Sequence, residues 1–279
     1  HRHFRRQRQM CIRDSSNVPR LTRKDAVSTD YNFVVKPGAL YLVSTPIGNL
    51  GDITLRALEV LKQVDLIAAE DTRTSKTLLQ HYGIKTPMTS YHDYNKEKVT
   101  PRLIGRLEQN QSVAVITDAG TPGISDPAFY IVREAIAASI EIESIPGATA
   151  FVPALVLSGL PTDRFVFEGF LPPKKGRQTR LEELASEPRT MIFYESPHRI
   201  VKSISDLHKV LGDRKVAIVR EISKKFEEIV RGTLNDLVRE SESIKLKGEF
   251  VLLVEGLTRE QLKAQKKLKK EKYKKNENT

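Results

Sequence analysis

Between residues 37 and 256 the chain alternates short apolar runs with amphipathic segments of helical length, and four of the runs end in loops built around glycine or proline or both, or in an acidic turn. That alternation most constrains the fold. Apolar runs separated by helix-length segments pair as a largely parallel sheet covered by helices, which is the α/β class. Strands are predicted over Ala39 to Thr45, Asp65 to Ala69, Ser112 to Ile116 and Glu141 to Ile145, with helices over Thr54 to Val64, Arg73 to His81, Lys96 to Gln109, Asp126 to Ala138 and Ala148 to Leu157. After Gly159-Leu160-Pro161 a second set begins. It holds strands from Arg164 to Glu168, Thr190 to Tyr194, Val216 to Glu221, Glu227 to Gly232 and Glu249 to Glu255, and helices from Arg177 to Ser186 and Pro197 to Leu211. Two α/β domains are therefore expected, over 37–159 and 160–256.

The charge is uneven. The 279 residues carry 46 Lys and Arg against 35 Asp and Glu, a net +11, which is the usual footprint of a nucleic-acid partner. Residues 1–36 account for +6 and residues 257–279 for another +6, while 37–256 holds 28 basic and 29 acidic residues. Global basicity therefore says nothing about the folded part. Neither end shows helical or strand periodicity, so 1–36 is expected as a disordered basic leader, an extension upstream of the true start, and 257–279 as a frayed or disordered Lys-rich tail. No run approaches the roughly 18 apolar residues of a membrane span, and the first residues are too polar for a secretion signal. Cys11 is the single cysteine; it excludes a disulfide framework and fits a reducing, cytoplasmic setting. His81, His92, His198 and His208 lack metal-ligand spacing, and no metal is predicted.

Open α/β sheets bind ligands just beyond the carboxyl ends of their strands. Four loops fall there: Ser44-Thr45-Pro46-Ile47-Gly48-Asn49-Leu50-Gly51, Ala69-Glu70-Asp71-Thr72-Arg73, the stretch Thr117 to Pro127, and Ile145-Pro146-Gly147-Ala148-Thr149. None contains G-x-G-x-x-G or the P-loop pattern, so dinucleotide and polyphosphate sites lose support. Glycine and proline let backbone approach a ligand closely, which suits a compact zwitterion or nucleoside. Taken singly, each loop is also explained as a sharp turn in which Asp126 or Thr149 caps a helix.

These loops, with Ser158-Gly159-Leu160-Pro161-Thr162-Asp163-Arg164-Phe165, Gly169-Phe170-Leu171-Pro172, Phe193-Tyr194-Glu195-Ser196-Pro197-His198-Arg199, the run from Arg220 to Glu228 and Lys247-Gly248-Glu249, closely resemble the ribosomal RNA ribose methyltransferases of the tetrapyrrole (corrin/porphyrin) methylase superfamily. The likeness spans 38–256. It implies two α/β domains of the tetrapyrrole methylase type with S-adenosyl-L-methionine in the cleft between them. It also implies a homodimer, and methyl transfer to the 2′-hydroxyl of a cytidine ribose in small-subunit (16S) ribosomal RNA. Carried over residue by residue, Pro46 borders the cofactor, Asp118, Ala119, Gly120, Ser125 and Asp126 form its main wall, Gly147, Ala148 and Thr149 close another side, and Tyr194 and Glu195 reach in from the second domain. Two departures stand out: Ala128, where the family usually has glycine, and the Lys-rich tail beyond Leu257 in place of a short helical region. Methylation of a small tetrapyrrole is the alternative within the same fold, and a non-catalytic ribosome-binding role is a third reading.

Methyl transfer from a sulfonium is an in-line displacement governed by positioning, and a ribose hydroxyl gains from a general base. Glu70 and Asp71 are the acids at a strand end, with Arg73 beside them to hold an acid or a phosphate. An equally good reading has Asp71 capping the following helix while Glu70 pairs with Arg73. For RNA, Lys174, Lys175, Arg177 and Arg180 lie in an acid-free stretch, and Arg199, Lys224 and Lys225 lie in other loops of the second domain; together they would track phosphates. A solvated, charged helix start explains 174–180 as well.

Overall fold

The strands β1 (Leu40–Val43), β2 (Leu66–Ala69), β3 (Met88–Ser90), β4 (Val113–Ile116) and β5 (Ile142–Ile145) form one sheet in the order β3-β2-β4-β1-β5. Every neighbouring pair is parallel. In a parallel sheet all carboxyl ends share one edge, so the loops after Val43, Ala69, Ser90, Ile116 and Ile145 emerge together. The structure is a computed structural model that describes residues 33–258, 260 and 261. Most of the predicted basic leader, Cys11 included, and most of the Lys-rich tail therefore lie outside the described residues. From Val35 onward the described residues form one compact unit.

Helices α1 (Leu55–Gln63), α2 (Thr72–His81), α3 (Lys96–Glu108) and α4 (Ala128–Ala137) connect these strands. Leu103 and Leu107 of α3 and Ile131 and Ala135 of α4 pack on Leu40, Leu66, Ala68, Val113 and Val115. Strands β2 and β4 are buried along their whole length, which is why they read as unbroken apolar runs rather than alternations. The edge strand β3 was not predicted: three half-buried residues are too few to display a period.

The second sheet holds β6 (Phe165–Phe170), β7 (Thr190–Glu195), β8 (Lys215–Arg220), β9 (Glu228–Thr233) and β10 (Phe250–Val254), in the order β6-β7-β10-β8-β9. Only β6 and β7 pair in parallel; the other three pairings are antiparallel. The expectation of a largely parallel sheet thus describes the first sheet and not the second. Residues 221–227 between β8 and β9 are too few for the crossover that a parallel pair needs, so the strands form a hairpin.

Side chains of the second sheet alternate between two cores. Phe250, Leu252 and Val254 meet Leu181 of α6 (Arg177–Leu184), Ile204 of α7 (Ile200–Leu211) and Leu237 of α8 (Leu234–Arg239). Val251 and Leu253 meet Ala154 and Leu155 of α5 (Phe151–Ser158) on the other face. Helix α5 follows β5 in the chain yet packs on β8, β9 and β10, so the division by packing precedes the sequence break at Gly159. The unpredicted α8 is six residues long and begins in a capping box: Asp236 donates its amide to the Thr233 hydroxyl at 3.3 Å, and Thr233 donates its own to the Asp236 carboxylate at 3.1 Å. Such a cap stabilises a short helix by about 1 kcal/mol. Among the described residues no helix is long and apolar enough to cross a membrane.

Candidate active site

Three of the four predicted loops are joined by short hydrogen bonds. Thr45 and Gly120 exchange backbone bonds at 2.9 and 3.1 Å, and the Thr45 hydroxyl donates to the Thr117 carbonyl at 3.0 Å. The Ser44 hydroxyl donates to Thr121 Oγ1, which donates to the Ala148 carbonyl, both at 3.0 Å. Gly147 is required here, because a Cβ would lie 2.8 Å from Ser44 Cβ. The fourth loop is tied in by acids. Glu70 Oε2 accepts from Thr117 Oγ1 at 2.6 Å and from the Asp118 amide at 3.3 Å, while Asp118 Oδ1 accepts from the Asp71 amide at 3.0 Å. Gly120 and Gly123 take positive φ, and Ser125 is held at φ 68°, a conformation that costs a non-glycine residue free energy and marks an over-determined loop.

The second sheet closes over this edge. Lys224, in the β8–β9 hairpin, lays its stem across Gly48, where a Cβ would fall 2.2 Å from Lys224 Cγ, and Ser223 bonds to the Asp52 carboxylate. Between the two layers lies a cavity of about 410 Å³, within the range of small-molecule sites. Asp118, Ala119, Gly120, Ser125, Asp126 and Thr149 line it from the first layer, and Tyr194 and Glu195 line it from the second. Glu70 faces it as well. Pro46 instead borders an adjoining chamber of about 460 Å³, and Gly147 and Ala148 border a third of about 520 Å³.

Two carboxylates of the cavity are perturbed. Burial pushes Asp118 above the usual carboxylate value, with Glu70 and Asp71 adding repulsion against the Asp71 amide. Burial likewise raises Asp126, opposed by bonds from the Ala128 and Gly123 amides. Asp126 accepts from both amides at 2.8 Å, so it braces the loop and the start of α4 while lining the cavity. Burial also raises Tyr194, whose ring meets Phe167 and Phe170 edge-on at 5.0 and 5.7 Å. An acidic, aromatic cavity walled by glycine backbone suits a cationic ligand with a flat apolar ring.

Other predicted residues are placed differently. Asp71 caps α2 and grips Arg73 at 2.7 Å; the Arg73 guanidinium hydrogen bond holds Asp71 down at about 2. Neither lines the cavity, and the Arg73 side chain is 90% exposed, so Arg73 pairs with Asp71 and not with Glu70. The carboxylate of Glu195 turns away from the cavity: it accepts from Ser196 N at 2.8 Å and from Ser203 Oγ, and pairs with Arg199 at 3.4 Å.

The predicted RNA contacts divide by burial. Arg177 is 6% exposed and donates to Asp206 at 2.9 Å, Ser203 at 2.8 Å and the Pro172 carbonyl at 3.2 Å. It is an internal bolt, not a phosphate contact. Arg180 is claimed by Glu168 and Glu183, Lys224 by Glu221 and Glu249, and Arg199 by Glu195 and the Leu171 carbonyl. Lys174, Lys175 and Lys225 are exposed.

Ile47, Thr117, Phe170, Ile222, Gly248 and Phe250 also line the cavity without having been predicted as site residues. The rule of carboxyl strand ends could not find those from the antiparallel sheet; the signal for Gly248 is its φ of 92°, where a Cβ would meet the Glu221 side chain at 2.5 Å.

A family profile, Tetrapyrrole (Corrin/Porphyrin) Methylases, matches residues 39–238. The ribosomal RNA small subunit methyltransferase I of Halalkalibacterium halodurans is 51% identical over 220 residues, covering 78% of this chain and 76% of that protein. Its counterpart in Pseudomonas aeruginosa is 50% identical over 224 residues, covering 78% and 79%. Two solved structures are similar in fold. Diphthine synthase aligns with a TM-score of 0.63 at 17% identity over 79% of this chain and 90% of its own. Uroporphyrin-III C-methyltransferase of Thermus thermophilus, complexed with S-adenosylhomocysteine, aligns at 0.55 and 21% over 77% and 96%.

Proposed function

The chain belongs to the tetrapyrrole methylase family, and from that premise we propose that it methylates the 2′-hydroxyl of a cytidine ribose in small-subunit (16S) ribosomal RNA, using S-adenosyl-L-methionine. The carrying observation is the cavity between the two sheets, with Asp118, Asp126 and Glu70 on one side and Tyr194 on the other. Asp118 and Asp126 complement the positive charges of S-adenosylmethionine, the aromatic wall suits an adenine, and the volume suits a molecule of that size. Bound there, the cofactor supplies an electrophilic methyl group on a sulfonium. The protein's task is then alignment of the attacking oxygen. Glu70, steadied by Thr117, accepts the ribose proton. The residues 37–159 and 160–256 are taken as the two domains that close on the cofactor, with α5 of the first reaching across to pack on the sheet of the second. The RNA reading is favoured over tetrapyrrole methylation because the relatives sharing half of their residues carry the ribosomal name, whereas the tetrapyrrole enzymes share about a fifth.

Lys174, Lys175 and Lys225 are the phosphate contacts in this reading. Phe129 and Ile136 of α4 and Val152 and Val156 of α5 are exposed apolar side chains; such surface suits association of two copies. A ribosomal substrate places the enzyme in the cytoplasm. Incubation with labelled cofactor and unmethylated small subunits should put label on a cytidine 2′-oxygen, and label in a tetrapyrrole alone would overturn the reading.

Cofactor affinity should depend on pH. A cation in the cavity favours ionised Asp118 and Asp126, whose proton affinities in the free protein are raised by burial. Affinity is therefore full at neutral pH and falls as pH drops through those raised values, before an ordinary carboxylate would protonate. Calorimetric titrations from about pH 7.5 to about pH 5 read this, with Asp118→Asn flattening the profile; an affinity that rises on acidification contradicts it.

A further inference from the structure

Two large apolar side chains of the second layer stand exposed outside the cofactor cavity: Phe226, in the β8–β9 hairpin, at 66%, and Leu246, in the segment before β10, at 57%. One buried guanidinium joins the loops that carry them. Arg220, 9% exposed, donates to the Phe226 carbonyl at 3.3 Å and the Lys247 carbonyl at 3.2 Å, and pairs with Glu228 at 2.8 Å. Both carbonyls lie within reach of one rigid fork, so the two loops form one surface. Lys225, Lys245 and Lys247, all exposed, flank the two apolar side chains in sequence. The acids among them are engaged: Glu228 also holds Lys245 at 3.2 Å, Glu227 accepts from the Ser223 amide at 2.7 Å, and Glu221 and Glu249 hold Lys224. Lys225 and Lys247 are left outside any ion pair among the described residues, and Lys225 Nζ stands 5.7 Å from the centre of the Phe226 ring.

We propose that this surface is a stacking platform for the substrate RNA: an unpaired base lies on Phe226, and Lys225 and Lys247 hold phosphates of the same strand. The inference rests on the methyltransferase reading above and adds to it a contact outside the cofactor cavity. An aromatic ring accepts any base, because every base has a flat face, and cations beside the ring track the backbone. The base must be unpaired, since a duplex keeps its bases stacked on one another. Leu246 adds apolar surface on the second loop. The position fits a strand that also delivers the acceptor ribose. Ile222 in the hairpin and Gly248 next to Lys247 both line the cofactor cavity, so the two loops run from the cavity wall to the platform.

The chain has no tryptophan, so Phe226→Trp places a single indole fluorophore on the platform. A short single-stranded RNA should quench it, and the same strand annealed to its complement should quench it far less. Phe226→Ala should weaken single-strand binding, read by anisotropy of the labelled RNA, by about tenfold, with Phe226→Tyr within about twofold of wild type. Lys225→Ala and Lys247→Ala should each lower the slope of log K against log salt by about 0.7. The ring is exposed and Arg220 binds only the main-chain carbonyl, so these variants keep the fold, and the calorimetric Kd for S-adenosylmethionine stays within about twofold. Equal quenching by strand and duplex, or none by either, overturns the proposal. So does a cofactor Kd that weakens as much as RNA binding, which would place the effect in the cavity. Single-strand affinity unchanged in Phe226→Ala overturns it too; a KM for small subunits that still rises in that variant would assign the platform to a ribosomal protein. Failure of the wild-type protein to methylate small subunits, with the quenching intact, would count against the methyltransferase reading alone.

Discussion

Glu70→Gln is expected to lower kcat for small-subunit methylation by about 10²- to 10⁴-fold, the usual contribution of a positioned base, while the Kd for S-adenosylmethionine stays within about twofold. Glu70 follows β2 at the common edge of the first sheet, and its carboxylate is aimed by Thr117 Oγ1 at 2.6 Å and the Asp118 amide at 3.3 Å. Glutamine keeps an oxygen that can accept both bonds, so the loop stays braced and only the capacity to take a proton is lost. A kcat within about threefold of wild type would reduce Glu70 to a loop brace. Asp71 offers no substitute. Arg73 holds it ionised at about 2, and a carboxylate so acidic is a weak proton acceptor near neutral pH.

Removing the Arg177 side chain should destabilise the fold by about 3 kcal/mol, at the lower end of the range for breaking a buried pair, because Asp206 keeps some access to water. The guanidinium joins Asp206 on α7, Ser203 and the Pro172 carbonyl, and Ser203 in turn holds Glu195, whose side chain is 1% exposed. Arg177→Ala leaves these groups short of donors, and Arg177→Lys restores a charge without the planar fork. Urea denaturation reads the difference; a loss below about 0.5 kcal/mol would show that the network carries no stability. The same variant separates packing from RNA contact. Lys174→Ala and Lys175→Ala should each lessen the salt dependence of RNA binding by about one counterion, whereas Arg177→Ala should leave that slope as it is.

These contrasts show where sequence suffices. Strands β1, β2 and β4 were legible because burial along nearly their whole length forces continuous apolar runs. The loops of the first sheet were legible because a parallel sheet sends every carboxyl end to one edge. Strand β3 and helix α8 were not, since three and six residues are too short for a period to emerge. Arg177 and Lys174 look alike in sequence. One guanidinium finds buried acceptors and the other side chain finds water, and neither outcome is written in the local residues.

By itself the sequence determined the α/β class, the four loops at the carboxyl edge of the first sheet and the family, because periodicity, glycine and proline act on nearest neighbours along the chain. The tertiary structure alone decided that α5 joins the second sheet, that Glu195 lines the cavity with its carboxylate bonded to Ser203 of α7, and that Ser75 Oγ is left without a partner among the described residues. Each depends on groups distant in sequence meeting in one low-dielectric interior. There a hydrogen bond or ion pair is strong only if its partner is present, and folding settles which groups are.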